Sequence, residues 1–486
     1  MKLEYRLIGL GTCAVLVASG LHAEQNKAAS ADPVVVETPA VETAAKEKEK
    51  EKEKEKEKDI VLDRQPAPAA AAPGRIAPTP GATGAAPQVS VAAKPPAALR
   101  TPLHDAALAA SLADLGLGLM REQSLGAGSA ERNAVLSPLS IATTLGMVHA
   151  GSGGATRREI AALLAPTSAG NRAFSVALPG LISAISSSGN KIPALSSVSR
   201  IWVDQQVVPE LPGPYREILG ERYRADGQVI AFSKAEEARS TINQWVSKAT
   251  GKKVEELLPA NSITPTTKVV LVNAVYFKSP WAEPFELENT ADRPFQLTSG
   301  KSIPVKTMQA TRSVRTGVVD NITVYELPFK GDYSLLVALP PAGHTLNALE
   351  TDLDGVDIAS WSGQLKPTQC ELSLPRFHIA PVSRSLSTNL QALGVKTAFT
   401  DKADFGPMLG NASAGAHLAD VFHAAGITID ETGGEATAAT GATVVSKSLP
   451  LNVRKCAIDR PFVFAITHKP TGAPVFMGKV ANPAAK

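Results

Sequence analysis

A serine, an aspartate and a histidine suffice for nucleophilic acyl transfer, and Ser137, Asp404 and His423 could supply them. Any long chain offers such sets, so only geometry can identify a triad. Signals that need no geometry are missing. There is no G-x-S-x-G elbow, no G-x-x-x-x-G-K-[ST] phosphate loop and no H-E-x-x-H zinc helix. The eight histidines (His22, His104, His149, His344, His378, His417, His423 and His468) are scattered, with none paired at metal-ligand spacing. Three cysteines are too few for a four-thiolate zinc site or a disulfide scaffold. No metal, no cofactor and no enzymatic activity are expected.

The unusual segment is Asp430–Ser448, D-E-T-G-G-E-A-T-A-A-T-G-A-T-V-V-S-K-S, between two strand-like runs. As a loop it is long, and loops of that length in compact domains are usually functional or disordered. As a strand it alternates. Gly434, Ala436, Ala438, Thr440, Ala442 and Val444 would share one face, with Glu435, Thr437, Ala439, Gly441 and Thr443 on the other. A segment acceptable both as exposed loop and as buried strand is a candidate for bistability; the plain alternative is a flexible Ala/Gly/Thr loop.

The elements that would position these residues can be read along the chain. Apolar spacing predicts a helix over His104–Met120. Ser137-Pro138, a cap followed by proline in the first turn, predicts one over Ser137–His149. Another is predicted over Ser240–Leu258, with Trp245 and Val246 on its apolar side. Lys268–Phe277, Tyr333–Leu339 and Cys456–Thr467 are β-rich and apolar enough to be buried strands. Helices mixed with long strands, without a regular βαβ beat, point to an α+β fold. The 385 residues from Pro102 onward contain no second linker.

Residues 1–23 look like an export signal: Lys2 and Arg6, the apolar run Leu7–Ser19, then Ala23 at a cleavage position. The apolar run is too short to span a membrane. Residues 24–100 read as a disordered stalk. Lys46–Lys58 alternates seven Lys with six Glu, and Gln65–Arg100 is rich in Pro and Ala, so neither can bury enough apolar surface to order itself. Residues 101–486 form the remaining domain. The net charge of +3 gives no sign of a nucleic-acid partner.

Several short runs then converge. They are Asn133–Ile141 (NAVLSPLSI), Gly151–Ile160, Ile242–Val246 (INQWV), Val272–Phe285 (VNAVYFKSPWAEPF) and Leu374–Phe377 (LPRF). Ala403-Asp404-Phe405, Asp459–Phe462 (DRPF), Phe476–Val480 (FMGKV) and Asn482-Pro483 complete the set. Together, in this order over about residues 103–486, they resemble the serpins, serine protease inhibitors that trap their target by a change of fold. The resemblance implies three β-sheets, about nine helices and an exposed reactive loop. A protease cleaves that loop, and the loop then inserts as a new strand in the largest sheet.

The resemblance also implies roles. Glu431 opens a hinge continuing through Thr432, Gly433, Gly434, Glu435, Ala436, Thr437, Ala438, Ala439 and Thr440. Sixteen residues after Glu431 stands Lys447, so the reactive bond is Lys447–Ser448. Glu431 is expected to meet Arg376 where the loop enters, with Trp281 nearby. Ser137, Ser140, Asn273 and His423 form the polar cluster where the strands part. Gly434 departs from the family, which usually has Thr or Ser there. The hinge otherwise looks inhibitory, so the expected partner is a trypsin-like serine protease held as a covalent acyl complex. The protein is expected to be a secreted or extracytoplasmic monomer without a strong glycosaminoglycan site. The alternative is a non-inhibitory member acting as a binding module. By the family's strand order Cys370 and Cys456 lie on neighbouring, antiparallel strands, where they are either free buried thiols or a disulfide.

Overall fold

The computed structural model describes residues 106–124, 132–165, 168–187, 195–434 and 453–485. The export-like start, the stalk, Lys447, Ser448 and hinge residues Glu435–Thr440 lie outside the described residues.

Two hydrogen-bonded networks of strands organise the rest. The first contains β2 (Leu195–Asp204), β3 (Asp226–Ile230), β4 (Val269–Phe277), β10 (Phe377–Ile379), β11 (Arg384–Ser385) and β12 (Leu418–Ile429). Its order is β10-β12-β4-β2-β3, with β11 also on β12. The second is built around β6 (Ser302–Val319), whose start pairs with β5 (Ala291–Gln296) and whose stretch from Thr307 to Thr316 pairs with β9 (Lys366–Pro375). Its end pairs with β7 (Ile322–Pro328), and β8 (Tyr333–Leu339), β14 (Phe462–His468), β15 (Ala473–Val480) and β1 (Ala134–Leu136) follow in that order. β13 (Arg454–Ala457) closes the other side, on β9. The three sheets implied by the sequence are therefore present, two of them joined through the long β6.

Among the described residues there are ten α-helices. Those that matter below are α1 (Ala106–Ser124), α2 (Pro138–Ala150), α6 (Ala235–Ala249) and α8 (Gly355–Gln364). α2 is buried on all sides from Pro138 to His149, which an evenly apolar helix requires. The helix predicted to reach Leu258 stops at Ala249 instead. Gly251 and Lys252 both take positive φ, 59° and 64°, and turn the chain back. Asn243 then fixes the return: its Oδ1 accepts from the amides of Leu257 (3.1 Å) and Leu258 (2.8 Å). The strand predicted over Cys456–Thr467 is split, because Asp459-Arg460-Pro461 interrupts it between β13 and β14.

β4 shows how sequence parity sets the layers. All nine of its residues are buried. Val269, Leu271, Val275 and Phe277 enter the main core, whereas Val270, Val272 and Ala274 pack in a second core with Ile242 and Val246 of α6. β12 divides the same way, with Val421, Ala425 and Ile427 in the main core and Phe422 and Ala424 under α6. Odd positions of β4, and of β12 from Val421 on, past the register shift after Leu418, thus lie on the α2 side and even ones on the α6 side. A strand buried on both faces reads as a continuous apolar run.

Candidate functional site: a seam between two parallel strands

β4 and β12 are direct neighbours and run parallel, from Leu418 beside Val269 to Gly426 beside Tyr276. They are 149 residues apart in sequence at that point, so nothing short connects them and they can part without breaking a hairpin. Two clusters hold this seam, one at its centre and one at its top.

At the centre, His423 and Asn273 stand opposite each other in register, both on the α2 side. His423 Nδ1 lies 2.6 Å from Asn273 Oδ1. Asn273 Nδ2 donates to Ser199 Oγ at 2.8 Å and to Ser140 Oγ, which leaves its oxygen to accept from His423. The imidazole therefore carries its proton on Nδ1, and Nε2 accepts from the Ser137 amide at 3.3 Å. Ser137 caps α2 through the Ser140 amide and donates its hydroxyl to the Val475 carbonyl at 2.6 Å. Burial, with the positive charge of Arg384 across the β11–β12 pair as a lesser cause, holds His423 down to about 3.

Sequence reasoning named Ser137, Ser140, Asn273 and His423, and the structure brings all four together. It missed Ser197 and Ser199 on β2, which reach Ser140 and Asn273. Their period-two spacing in an apolar strand was the available signal. A catalytic triad does not assemble. His423 spends both ring nitrogens on Ser137 N and Asn273, while Asp404 is engaged with Gly153, Thr156 and Gly406.

At the top, β12 ends in a turn over Asp430–Gly433. Asp430 Oδ1 accepts from Thr432 N (2.8 Å), Thr432 Oγ1 (2.6 Å) and Gly433 N (3.2 Å). Gly433 sits at φ 130°, and a Cβ there would lie 2.4 Å from the Ser279 carbonyl, so only glycine fits. The turn sends the chain back along the continuation of β4. Trp281 N donates to Thr432 O at 2.9 Å, and Gly434 N to Ser279 O at 2.7 Å. The bridge between Pro280 and Gly433 is antiparallel.

Glu431 is 7% exposed, too buried for a routine surface pair. Its Oε1 accepts from Arg376 Nε and from Thr290 Oγ1, each at 2.5 Å. Trp281 lies flat on Phe329, ring centroids 4.3 Å apart, and its indole N–H donates to the Asp430 carbonyl at 2.8 Å. Thr290 and Phe329 gave no sequence signal.

Comparison with known proteins decides the family. The family model "Serpin (serine protease inhibitor)" matches residues 110–483. The chain belongs to the serpin family. A serpin named Serpin-ZXA, from Oryza sativa subsp. japonica, is 34% identical over 369 residues, spanning 74% of this chain and 92% of the relative. The "Serine protease inhibitor" of Cyanea capillata is 31% identical over 362 residues, 73% and 94% of the two chains. Among solved structures, human thyroxine-binding globulin with its ligand aligns at a TM-score of 0.69 over 79% of this chain and all of the other. At 24% identity that likeness shows the fold alone. Serpin48 of the insect Tenebrio molitor aligns at 0.66 with 26% identity, over 78% of this chain and 98% of that one.

Within this serpin, β9 and β13 are parallel, not antiparallel as expected. The two strands run in the same direction, and Cys456 stands opposite Leu372, two residues beyond Cys370. The offset pair is nevertheless bonded, with Cα atoms 5.6 Å apart and both residues fully buried.

Proposed function

We propose that this serpin traps a trypsin-like serine protease that cleaves it between Lys447 and Ser448. The observation that carries the reading is the start already made at the seam's mouth. After the 430–433 turn the chain runs antiparallel to β12 and bonds to the end of β4. A strand continuing in that direction between two parallel neighbours is antiparallel to both, and antiparallel pairing is the slightly more stable kind. The Lys447 side chain supplies the cation for an acidic specificity pocket. The protease serine adds to the Lys447 carbonyl, the bond to Ser448 breaks, and the Ser448 amine leaves with the proton. The acyl ester then rides on the inserting strand.

The reading has the chain act outside the cytoplasm. The buried Cys370–Cys456 bond supports this, because disulfides persist in oxidising compartments. That bond also separates cut from uncut loop. From Gly434 to Cys456 there are 22 residues. With Cys456 tied to β9, an uncut strand entering the seam must also return, so at ~3.4 Å per residue only about half of them can go in. Cleavage frees everything up to Lys447. Warming the uncut protein should therefore leave trapping capacity largely intact, and Cys456→Ser should lose it faster. Equal loss rates would refute the tether.

The deciding experiment mixes the protein with trypsin. A detergent-stable complex at the summed mass, with mass spectrometry locating the cut after Lys447, is expected. Lys447→Ala should abolish the complex. Cleavage without complex would instead support a non-inhibitory binding module.

A further inference from the structure

A cleft of about 590 Å³ lies between α6 and the segment that returns from it, and its size is within the range of small-molecule sites. We propose that this cleft binds the free N-terminus of a short acidic peptide. The site shares no residue with either cluster of the seam and does not depend on the protease reading. No apolar side chain lines the cleft, so an apolar ligand would find nothing to bury against. Hydrogen bonds and charges are what it offers.

Both walls are fixed by the chain's own bonds. On the helix side stand Ser240, Gln244 and Ser247, which share one face at helical spacing. The other face of α6 carries Ala238, Ile242 and Val246 and is buried in the second core. The return segment starts close by, because Lys252 N donates to the Ser247 carbonyl at 2.7 Å. It is then tied down at Leu258, whose carbonyl accepts from Asn243 Nδ2 at 2.9 Å and whose amide donates to Asn243 Oδ1. A cleft held this way pays no ordering cost when a ligand enters.

The charges define the ligand. Arg239 is already spent: Nη1 donates to Glu256 Oε1 (2.7 Å) and to the Leu258 carbonyl (2.9 Å), and Nη2 to Glu236 Oε1 (2.6 Å). Lys248, Lys252 and Glu255 also line the cleft and are exposed, and among the described residues none of the three side chains has a hydrogen bond or ion pair. Two ammonium groups and one carboxylate therefore meet in one cleft without neutralising one another. Their complement is a compact ligand with two carboxylates and one ammonium. The N-terminus of an acidic peptide carries that set, and even a dipeptide ending in Glu has it: an α-ammonium, a side-chain carboxylate and a terminal carboxylate. Each contact is then a charge-assisted hydrogen bond. The peptide group between them faces amide and hydroxyl. Gln244 Nε2 donates to Ser240 Oγ at 3.2 Å, which leaves Gln244 Oε1 to accept a peptide N–H.

Calorimetric titration of the full chain at low salt tests this with three dipeptides of nearly the same shape: glycyl-glutamate, glycyl-glutamine and N-acetyl-glycyl-glutamate. Glycyl-glutamate should bind. Glycyl-glutamine, lacking one carboxylate, and the acetylated peptide, lacking the ammonium, should each bind about fivefold more weakly. Lys252→Gly should weaken glycyl-glutamate by a similar factor. That variant keeps the fold, because Lys252 sits at φ 64°, a left-handed conformation that glycine adopts more readily than lysine. Glu255→Gln should bring glycyl-glutamate and its acetylated form to the same affinity. No heat from glycyl-glutamate, equal affinity of the wild-type chain for all three peptides, or unchanged binding in either variant would overturn the site.

Discussion

The two clusters on the β4–β12 seam hold the same pair of strands by opposite means. At the centre the contacts are neutral and closed to water: His423 and Asn273 are each 1% exposed. At the top the contact is ionic, and the Arg376 side chain is 36% exposed. Water can replace the top contacts one at a time as they break. It cannot reach the centre until the strands have separated. The seam is therefore more open to water at its top than at its middle.

The strongest test of that contrast removes the hub of the centre. Asn273→Ala deprives His423, Ser140 and Ser199 of a partner and leaves a hole between strands. Buried groups left unpaired should cost roughly 3–4 kcal/mol in urea unfolding of the uncut protein. A loss smaller than that from cutting the ion pair at the top would reverse the order of the two clusters.

Acid tests the centre without mutation. His423 is held down to about 3 from an ordinary value of 6.5, so the contact is fully present above pH 6.5 and is lost as pH falls toward 3. Strand parting or unfolding takes up one proton in that window. Relative to His423→Gln, the wild-type protein should lose about 1.4 kcal/mol per pH unit below 6.5. Arg384 is the charged group beside His423, and it stays protonated throughout, so the slope belongs to the imidazole. Parallel curves for the two proteins would show that His423 is not held neutral by the fold.

How much of this was legible beforehand follows the physics of each part. Ser137-Pro138 marked the start of α2 because capping is local, and V-V-L-V-N-A-V-Y-F marked β4 because burial on both faces leaves a continuous apolar run. Four residues of the centre and three of the top were assigned through the family resemblance. Ser199, Thr290 and Phe329 were not, since each is brought in by a strand or loop distant in sequence. The parallel pairing of β9 with β13 was missed because strand direction is set by the route of the connecting chain, which residue types do not encode. The overextended helix failed at Gly251 and Lys252, where two left-handed residues outweigh the apolar spacing of Val254, Leu257 and Leu258.

At the top, Glu431→Gln sharpens the contrast from the other side. The amide keeps an acceptor for Thr290 but loses the charge facing Arg376. With Arg376 partly in water, the expected loss is about 1–2 kcal/mol at low salt. It should shrink markedly in 1 M salt, whereas the Asn273→Ala loss should hardly change. Equal salt dependence of the two losses would contradict the assignment of one cluster as ionic and open and the other as neutral and closed.

The smallest effect is expected at Gly434, whose amide is bonded to the Ser279 carbonyl just past β4. A Cβ there would stand 3.1 Å from Phe277 Cδ1 and 3.3 Å from Ser279 N, closer than most real contacts but not a clash with immovable backbone on every side. Gly434→Ala gains roughly 0.4–1 kcal/mol by restricting the unfolded chain. It loses a comparable amount if the ring of Phe277, already packed edge-on against Phe329 and Tyr333, has to move. The two terms should leave global stability within about 0.5 kcal/mol of wild type. The local balance is different, because opening the Asp430–Gly434 turn relieves the contact without unfolding anything else. Amide exchange at position 434 should therefore speed up while the centre of β4 stays protected. If exchange at 434 is unchanged, the Phe277 ring accommodates the methyl group, and the mouth of the seam is looser than the 2.7 Å bond between Gly434 and Ser279 indicates.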